Sequence, residues 1–227
     1  MELTDYRNIE TIANPYVVKC ILLGDRGIGK STMLNVLSTG RFDPNIVSTI
    51  GIDFAAKTIS LPEYNNHKIK LQIWDTAGQE KFKSIVRSYL RDAYIGFLIF
   101  DLTDRNSWNN LVQWKEDLEN SNNRYEGIPH IVLVGTKSDL RNRVISAEEI
   151  KKRSEEWGCK FYMITSKQNN SHSMIYRIFT IAVEDLHQDI IYKHINGHKL
   201  PHGIYKEDND NVKVGNWIPN EPKRCCQ

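Results

Sequence analysis

Apolar positions fall along the chain in two alternating rhythms, short runs of strand length and longer stretches striped at helical spacing. Val17-Val18-Lys19-Cys20-Ile21-Leu22-Leu23 is a compact apolar run, and Ser31 to Leu37 behind it reads as a helix that Gly40 is placed to end. Arg41 to Ile50 shows no period and predicts a loop. Ile52 to Leu61 and Lys68 to Trp74 predict two strands joined through Pro62-Glu63-Tyr64-Asn65-Asn66, a turn composition. In the second strand Ile69, Leu71 and Ile73 alternate with Lys68, Lys70 and Gln72, which puts Trp74 on the solvent-facing side. Tyr94 to Phe100 is apolar on both faces, as a covered parallel strand is, and Ile131 to Val134 is another buried strand. Leu111, Trp114 and Leu118 have helical spacing, and Ser146-Ala147-Glu148-Glu149 is a capping box opening a helix that stops near Gly158. Phe161 to Ile164 predicts a last strand, and Ile175, Ile178, Phe179, Ala182 and Leu186 stripe a last helix.

Strands alternating with helices predict an α/β fold with a mostly parallel six-stranded sheet, one antiparallel strand from the early hairpin, and helices on both faces. The expected organisation is a polar arm over residues 1–15, one domain over 16–187, and a tail over 188–227 where the pattern dissolves into Gly, Pro, Asn and mixed charge. His194, His198 and His202 are four apart, but Gly197 and Pro201 forbid the helix that would gather them, so a solvated tail is expected. Apolar residues make up 40% of 227, ample for a packed core. With 30 basic against 28 acidic residues, the net charge of +2 carries no nucleic-acid footprint. The longest apolar run, Ile95 to Phe100, is too short to span a bilayer, and Met1 to Asp5 lacks the features of a signal peptide. Cys20, Cys159, Cys225 and Cys226 make no disulfide framework, which suits a reducing compartment.

Candidate chemistry begins at Gly24-Asp25-Arg26-Gly27-Ile28-Gly29-Lys30-Ser31, which matches the phosphate-binding loop G-x-x-x-x-G-K-S/T between a predicted strand and a predicted helix. The inward amides of Gly27 to Lys30 can form an anion nest on the positive end of that helix. Lys30 would set a compact charge on the outer phosphates and the Ser31 hydroxyl would bind Mg2+, with Asp25 through Thr32 lining the nucleotide. Further motifs sit at other strand ends, where ligands of such sheets bind. In Trp74-Asp75-Thr76-Ala77-Gly78-Gln79-Glu80 the Asp75 carboxylate can hold Mg2+ through water, the Gly78 amide can reach a γ-phosphate, and Gln79 can orient an attacking water. Thr136-Lys137-Ser138-Asp139 and Ile164-Thr165-Ser166-Lys167 follow two later strands.

Taken together these motifs resemble the Ras superfamily of small GTPases, and within it the Rab branch. Ser48-Thr49-Ile50-Gly51-Ile52-Asp53-Phe54 and Lys70-Leu71-Gln72-Ile73-Trp74 running into WDTAGQE are close to Rab segments, and Ser88 to Ala93 is a looser match. The resemblance implies that Thr49 joins Ser31 on Mg2+ when GTP is bound and that Phe42 packs against the guanine. It implies that Asp139 accepts from guanine N1–H and N2–H2 and that Lys137 braces the base and the loop. The Lys167 amide would meet O6 beside Ser166, and Thr136 would stand where Asn is commoner, with a shorter side chain. Gln168 would lack the cationic stem expected over the base. Gln79, Lys30 and Gly78 would serve hydrolysis. Ile50, Gly51, Phe54, Trp74 and Tyr89 would face effectors, the last three as an exposed aromatic triad.

At the level of function, the resemblance implies a GTP/GDP-controlled switch in vesicle trafficking, expected as a monomer. Its expected partners are an exchange factor, a GTPase-activating protein, effectors and prenylation escort proteins. Cys225 and Cys226 resemble a double lipidation site, since two chains anchor stably where one is marginal, on the cytoplasmic face of an intracellular membrane with a cytosolic pool. Arg26 stands where relatives carry a small residue and is expected to slow hydrolysis of GTP to GDP and phosphate. The alternatives are a non-hydrolysing, constitutively GTP-loaded binding module and a P-loop kinase of small metabolites.

Overall fold

The computed structural model of the chain describes residues 15–46, 49, 51–76, 78, 83–122, 129–200 and 204–207. Strand β1 (Tyr16–Leu23) alternates between two cores: Val18, Cys20 and Leu22 enter one, Ile21 and Leu23 the other. It runs through the glycine-rich loop into helix α1 (Lys30–Thr39), which ends at Gly40 in the left-handed region, its N–H donating to the Val36 carbonyl. Strands β2 (Ile52–Leu61) and β3 (His67–Thr76) form the expected hairpin, antiparallel from Ile52 opposite Thr76 to Leu61 opposite His67. Strands β4 (Ile95–Asp101), β5 (His130–Thr136) and β6 (Lys160–Met163) continue the sheet in parallel, in the order β2-β3-β1-β4-β5-β6.

Helices cover both faces, as the doubly apolar β4 requires. Helices α1 and α6 (Ser171–Leu186) pack Met33, Leu37, Ile175 and Phe179 on one side. The other side is closed by α2 (Lys83–Leu90), α3 (Arg105–Asn109), α4 (Leu111–Asn122) and α5 (Ala147–Glu156), through Val86, Trp108, Leu118 and Ile150. The Ser146 capping box is made as expected, with Ser146 Oγ accepting from the Glu149 N–H and Glu149 accepting from the Ser146 N–H.

The structure differs from the sequence expectation after Gln188. Helix α6 continues through a π-helical turn, His187–Ile191, into α7 (Tyr192–Ile195), and strand β7 (Ile204–Lys206) pairs antiparallel with β1. Among the described residues the sheet therefore has seven strands. The physical reason is an open edge: β4 pairs with β1 only from Cys20 onward, leaving Tyr16 to Val18 free on that side for β7. Side chains hold the segment down. Lys70 Nζ lies 2.6 Å from Glu207, Gln72 Nε2 donates to the Tyr205 hydroxyl at 3.1 Å, and Gln188 donates to the Tyr64 hydroxyl at 2.5 Å. Ile191 and Ile204 join the core shared by α1 and α6. His194 bonds locally, its Nδ1–H donating to the His198 carbonyl at 2.7 Å, and His202 lies outside the described residues.

Candidate nucleotide site

Gly24 sits so close to β4 that a Cβ would stand 2.2 Å from the Ile99 carbonyl oxygen, and its φ of 141° is one that side chains rarely adopt. The loop it opens wraps the Lys30 ammonium, which is buried and donates to the Gly24 and Asp25 carbonyls at 2.8 Å each. Burial lowers the Lys30 pKa to about 8, against the opposing pull of Asp75 and Asp25. The Asp25 carboxylate is clamped from outside the loop, by Asn110 Nδ2 at 2.7 Å and Trp114 Nε1 at 2.9 Å. In sequence Trp114 reads only as core, because it falls in the apolar stripe of α4 while its indole N–H carries the contact.

Across the loop, three oxygen-bearing side chains meet. Ser31 Oγ lies 2.5 Å from Thr49 Oγ1 and donates to Asp75 Oδ2, and Thr49 Oγ1 donates to the same oxygen at 3.1 Å. Asp75 is fully buried, and its Oδ1 finds no partner among the described residues. Burial pushes its carboxyl above the ordinary value, while the Ser31 hydroxyl, Lys30 and Thr49 pull the other way. An orphaned buried carboxylate oxygen beside two hydroxyls is a donor set that fits a hard divalent cation such as Mg2+. Gly78 packs against the backbone of Asp25 and Arg26. A cleft of about 340 Å3 opens here, lined among others by Arg26, Gly27, Gly29, Thr32, Thr49 and Gly78. Gln79 and Ile50 lie outside the described residues.

The later motifs converge from the ends of β5 and β6. Thr136, with its shorter side chain, reaches the loop: its buried hydroxyl lies 2.5 Å from the Ile28 carbonyl and 3.0 Å from that of Phe100. Lys137, at a positive φ of 56°, sets its ammonium 2.6 Å from Asp101. Burial alone would raise the Asp101 pKa, but Lys137 and the Thr103 donors outweigh it and hold it low. The two turns are tied by the Ser138 N–H donating to the Ile164 carbonyl at 3.0 Å. Asp139 and Lys167 face one another, with Lys167 Nζ 4.0 Å from Asp139 Oδ2, and the Lys167 N–H donates to Thr165 Oγ1 at 3.2 Å. Ser166 is half-buried beside them and Phe42 is 37% exposed.

The Phe54 and Trp74 rings are 5.1 Å apart and the Trp74 and Tyr89 rings 5.3 Å apart, but Trp74 and Tyr89, expected to be exposed, are half-buried against the core under α2 to α5. Phe54 is 48% exposed. Lys57 is accommodated by donating to the Leu37 carbonyl at 3.4 Å and lying 5.8 Å above Tyr176. Gly51 stands nearby at the start of β2 with a φ of 87°, while Cys225 and Cys226 lie outside the described residues.

The Ras family model matches residues 19–188. The chain is 34% identical over 212 residues to the Ras-related protein SEC4 of Saccharomyces cerevisiae, covering 92% of this chain and 91% of that one. It is 35% identical over 221 residues to the GTP-binding protein ypt2 of Schizosaccharomyces pombe, covering 96% and 100%. To the Ras-related protein Rab-11B of Dictyostelium discoideum it is 34% identical over 215 residues, covering 93% and 91%.

Proposed function

Because the chain belongs to the Ras family, as a small GTPase of Rab type, we propose that it is a GTP/GDP switch in vesicle trafficking, held on the cytoplasmic face of an intracellular membrane by lipid on Cys225 and Cys226. The observation that carries this reading is the meeting of Ser31, Thr49 and Asp75 beside the buried Lys30 ammonium. Lys30 neutralises charge on the β- and γ-phosphates. Ser31 and Thr49 would hold Mg2+ directly and Asp75 through water. The cation, when bound, supplies further charge stabilisation to the transferring phosphoryl group. The Gly78 amide holds the γ-phosphate and Gln79 orients the attacking water, so the protein contributes positioning and charge rather than covalent chemistry. At the base, Asp139 accepts from N1–H and N2–H2, the Lys167 amide gives up Thr165 Oγ1 for O6, and Thr136 and Lys137 brace the pocket. Phe42 lies against the guanine, and Ile50, Gly51, Phe54, Trp74 and Tyr89 meet effectors. Exchange factors, activating proteins and prenylation escort proteins act on this monomeric switch.

Hydrolysis is slow in this reading. Arg26 is exposed on the wall of the cleft, and its backbone nitrogen would stand 2.5 Å from a Cβ on Gly78, so its side chain departs beside the segment that must place Gln79. A long cation there crowds the water and a partner's inserted arginine, which is worth roughly 10³ to 10⁵ in rate. At its extreme this becomes a second reading, a binding module kept in its GTP form. Single-turnover GTP hydrolysis by the natural protein and by Arg26→Gly, with and without a family activating protein, tests it. Crowding requires the glycine variant to be faster, most of all with the activator; a slower variant makes Arg26 a catalytic residue instead.

A further inference from the structure

We propose that the Lys167 ammonium competes with the guanine base for Asp139 and thereby sets how fast the nucleotide leaves. This rests on the guanine-binding reading above and adds a side chain to it. Lys167 Nζ lies 4.0 Å from Asp139 Oδ2, with the lysine side chain 59% exposed and the aspartate 23%. The approach is built in by the fold. Asp139 leaves the turn after β5 and Lys167 the turn after β6, and the Ser138 to Ile164 hydrogen bond locks the two turns together. The Lys167 turn is fixed further by the Gln168 N–H donating to Ser171 Oγ at 3.0 Å. The ammonium therefore stands over the carboxylate without any rearrangement of backbone.

Guanine asks both oxygens of Asp139 to accept, one from N1–H and one from N2–H2. A cation beside Oδ2 withdraws charge from that acceptor, and a charge-assisted bond weakens as its acceptor is neutralised. The competing pair is partly exposed, so its effect is modest and salt-dependent.

The test is release of fluorescently labelled GDP from the full chain. Lys167→Met and Lys167→Gln should each slow release by roughly two- to fivefold at low salt, the size of an exposed ion pair, and Lys167→Arg should not. The difference should fade at 1 M salt, where the screening length is about 3 Å. It should also shrink for labelled inosine diphosphate, which lacks the 2-amino donor. A merely structural role would move neither the salt response nor the ratio of the two nucleotides. Release that is unchanged or faster in both neutral variants overturns the competition while leaving the guanine-binding reading standing. A natural protein that binds no GDP would overturn that reading itself.

Discussion

Gly78 packs on Asp25 so closely that a Cβ on Gly78 would lie 2.3 Å from the Asp25 carbonyl carbon and 2.4 Å from its oxygen. Both contacts are to backbone, which no rotamer change can relieve. Asp25 in turn is held by Asn110 and Trp114, so the loop cannot yield without breaking that clamp. Gly78→Ala should therefore push the segment after β3 off the phosphate loop by about 1 Å, a displacement that can cost a hundredfold where position matters. Affinity for a non-hydrolysable GTP analogue should fall by at least about tenfold, and GDP affinity by less. Equal affinities for both nucleotides before and after the change would mean that Gly78 does not reach the γ-phosphate.

Thr136 offers one hydroxyl proton to two carbonyls, Ile28 at 2.5 Å and Phe100 at 3.0 Å. Thr136→Val keeps the shape and removes the donor, and should lower stability by about 1–2 kcal/mol in urea unfolding. Thr136→Asn carries two amide protons, and the neighbouring Gly29 leaves room, since a Cβ there would be 3.9 Å from Thr136. Asn should slow GDP release; an unmoved release rate would show that one proton already suffices.

Guanine selectivity should rest on Asp139. Adenine has no N1–H, and leaving part of that carboxylate unpaired costs a few kcal/mol. Asp139→Asn should lose GTP affinity and gain affinity for xanthosine nucleotides, whose O2 accepts from an amide. Competition binding with the two nucleotides reads this directly, and unchanged GTP affinity would remove Asp139 from the site.

The segment after α6 is rooted at a histidine pair, with His67 Nδ1 2.8 Å from His187 Nε2 and both rings buried. The Tyr64 ring lies tilted against His187 with centroids 4.2 Å apart, and Lys206 lies close enough to disfavour charge on His67. Burial first, then His67, lowers the His187 pKa from 6.5 to about 4; burial first, then Lys206, lowers that of His67. Between pH 6.5 and about 4 the unfolded chain thus binds more protons than the folded one. The pair's contribution to stability is complete above pH 6.5 and is lost as pH falls toward 4. Urea midpoints should drop between pH 7 and pH 5, and less so in His187→Phe. Equal midpoints at both pH values in the natural chain would contradict the depressed values.

Much of the fold and the site is legible in the sequence, for reasons that can be named. The phosphate loop has fixed spacing, and the strand ends that gather the other motifs follow from apolar runs alone. Period-two alternation sets Trp74 on the face opposite Ile69, Leu71 and Ile73. It does not show that Tyr89 of α2 packs on it there, so that Trp74 is half-buried against the second core rather than solvent-facing. The hidden features depend on tertiary approach. The Trp114 indole clamps Asp25 from a helix position whose apolar stripe reads only as core. Strand β7 is three residues long, too short to show a period, and forms because β1 leaves an edge open. Thr136 reaches Ile28 because the loop comes to it, which residue length by itself does not reveal.

The claim on which the nucleotide predictions depend is that this chain holds a guanine nucleotide, and the most direct measurement is chemical. Freshly purified full-length protein, freed of loose nucleotide and then denatured, should release close to one guanine nucleotide per chain, identified by chromatography against GDP and GTP standards. A substantial GTP fraction is the expected mark of slow hydrolysis beside Arg26. Release of adenine nucleotide instead, or a chain that comes out empty and takes up no GDP in the presence of Mg2+, would contradict the account.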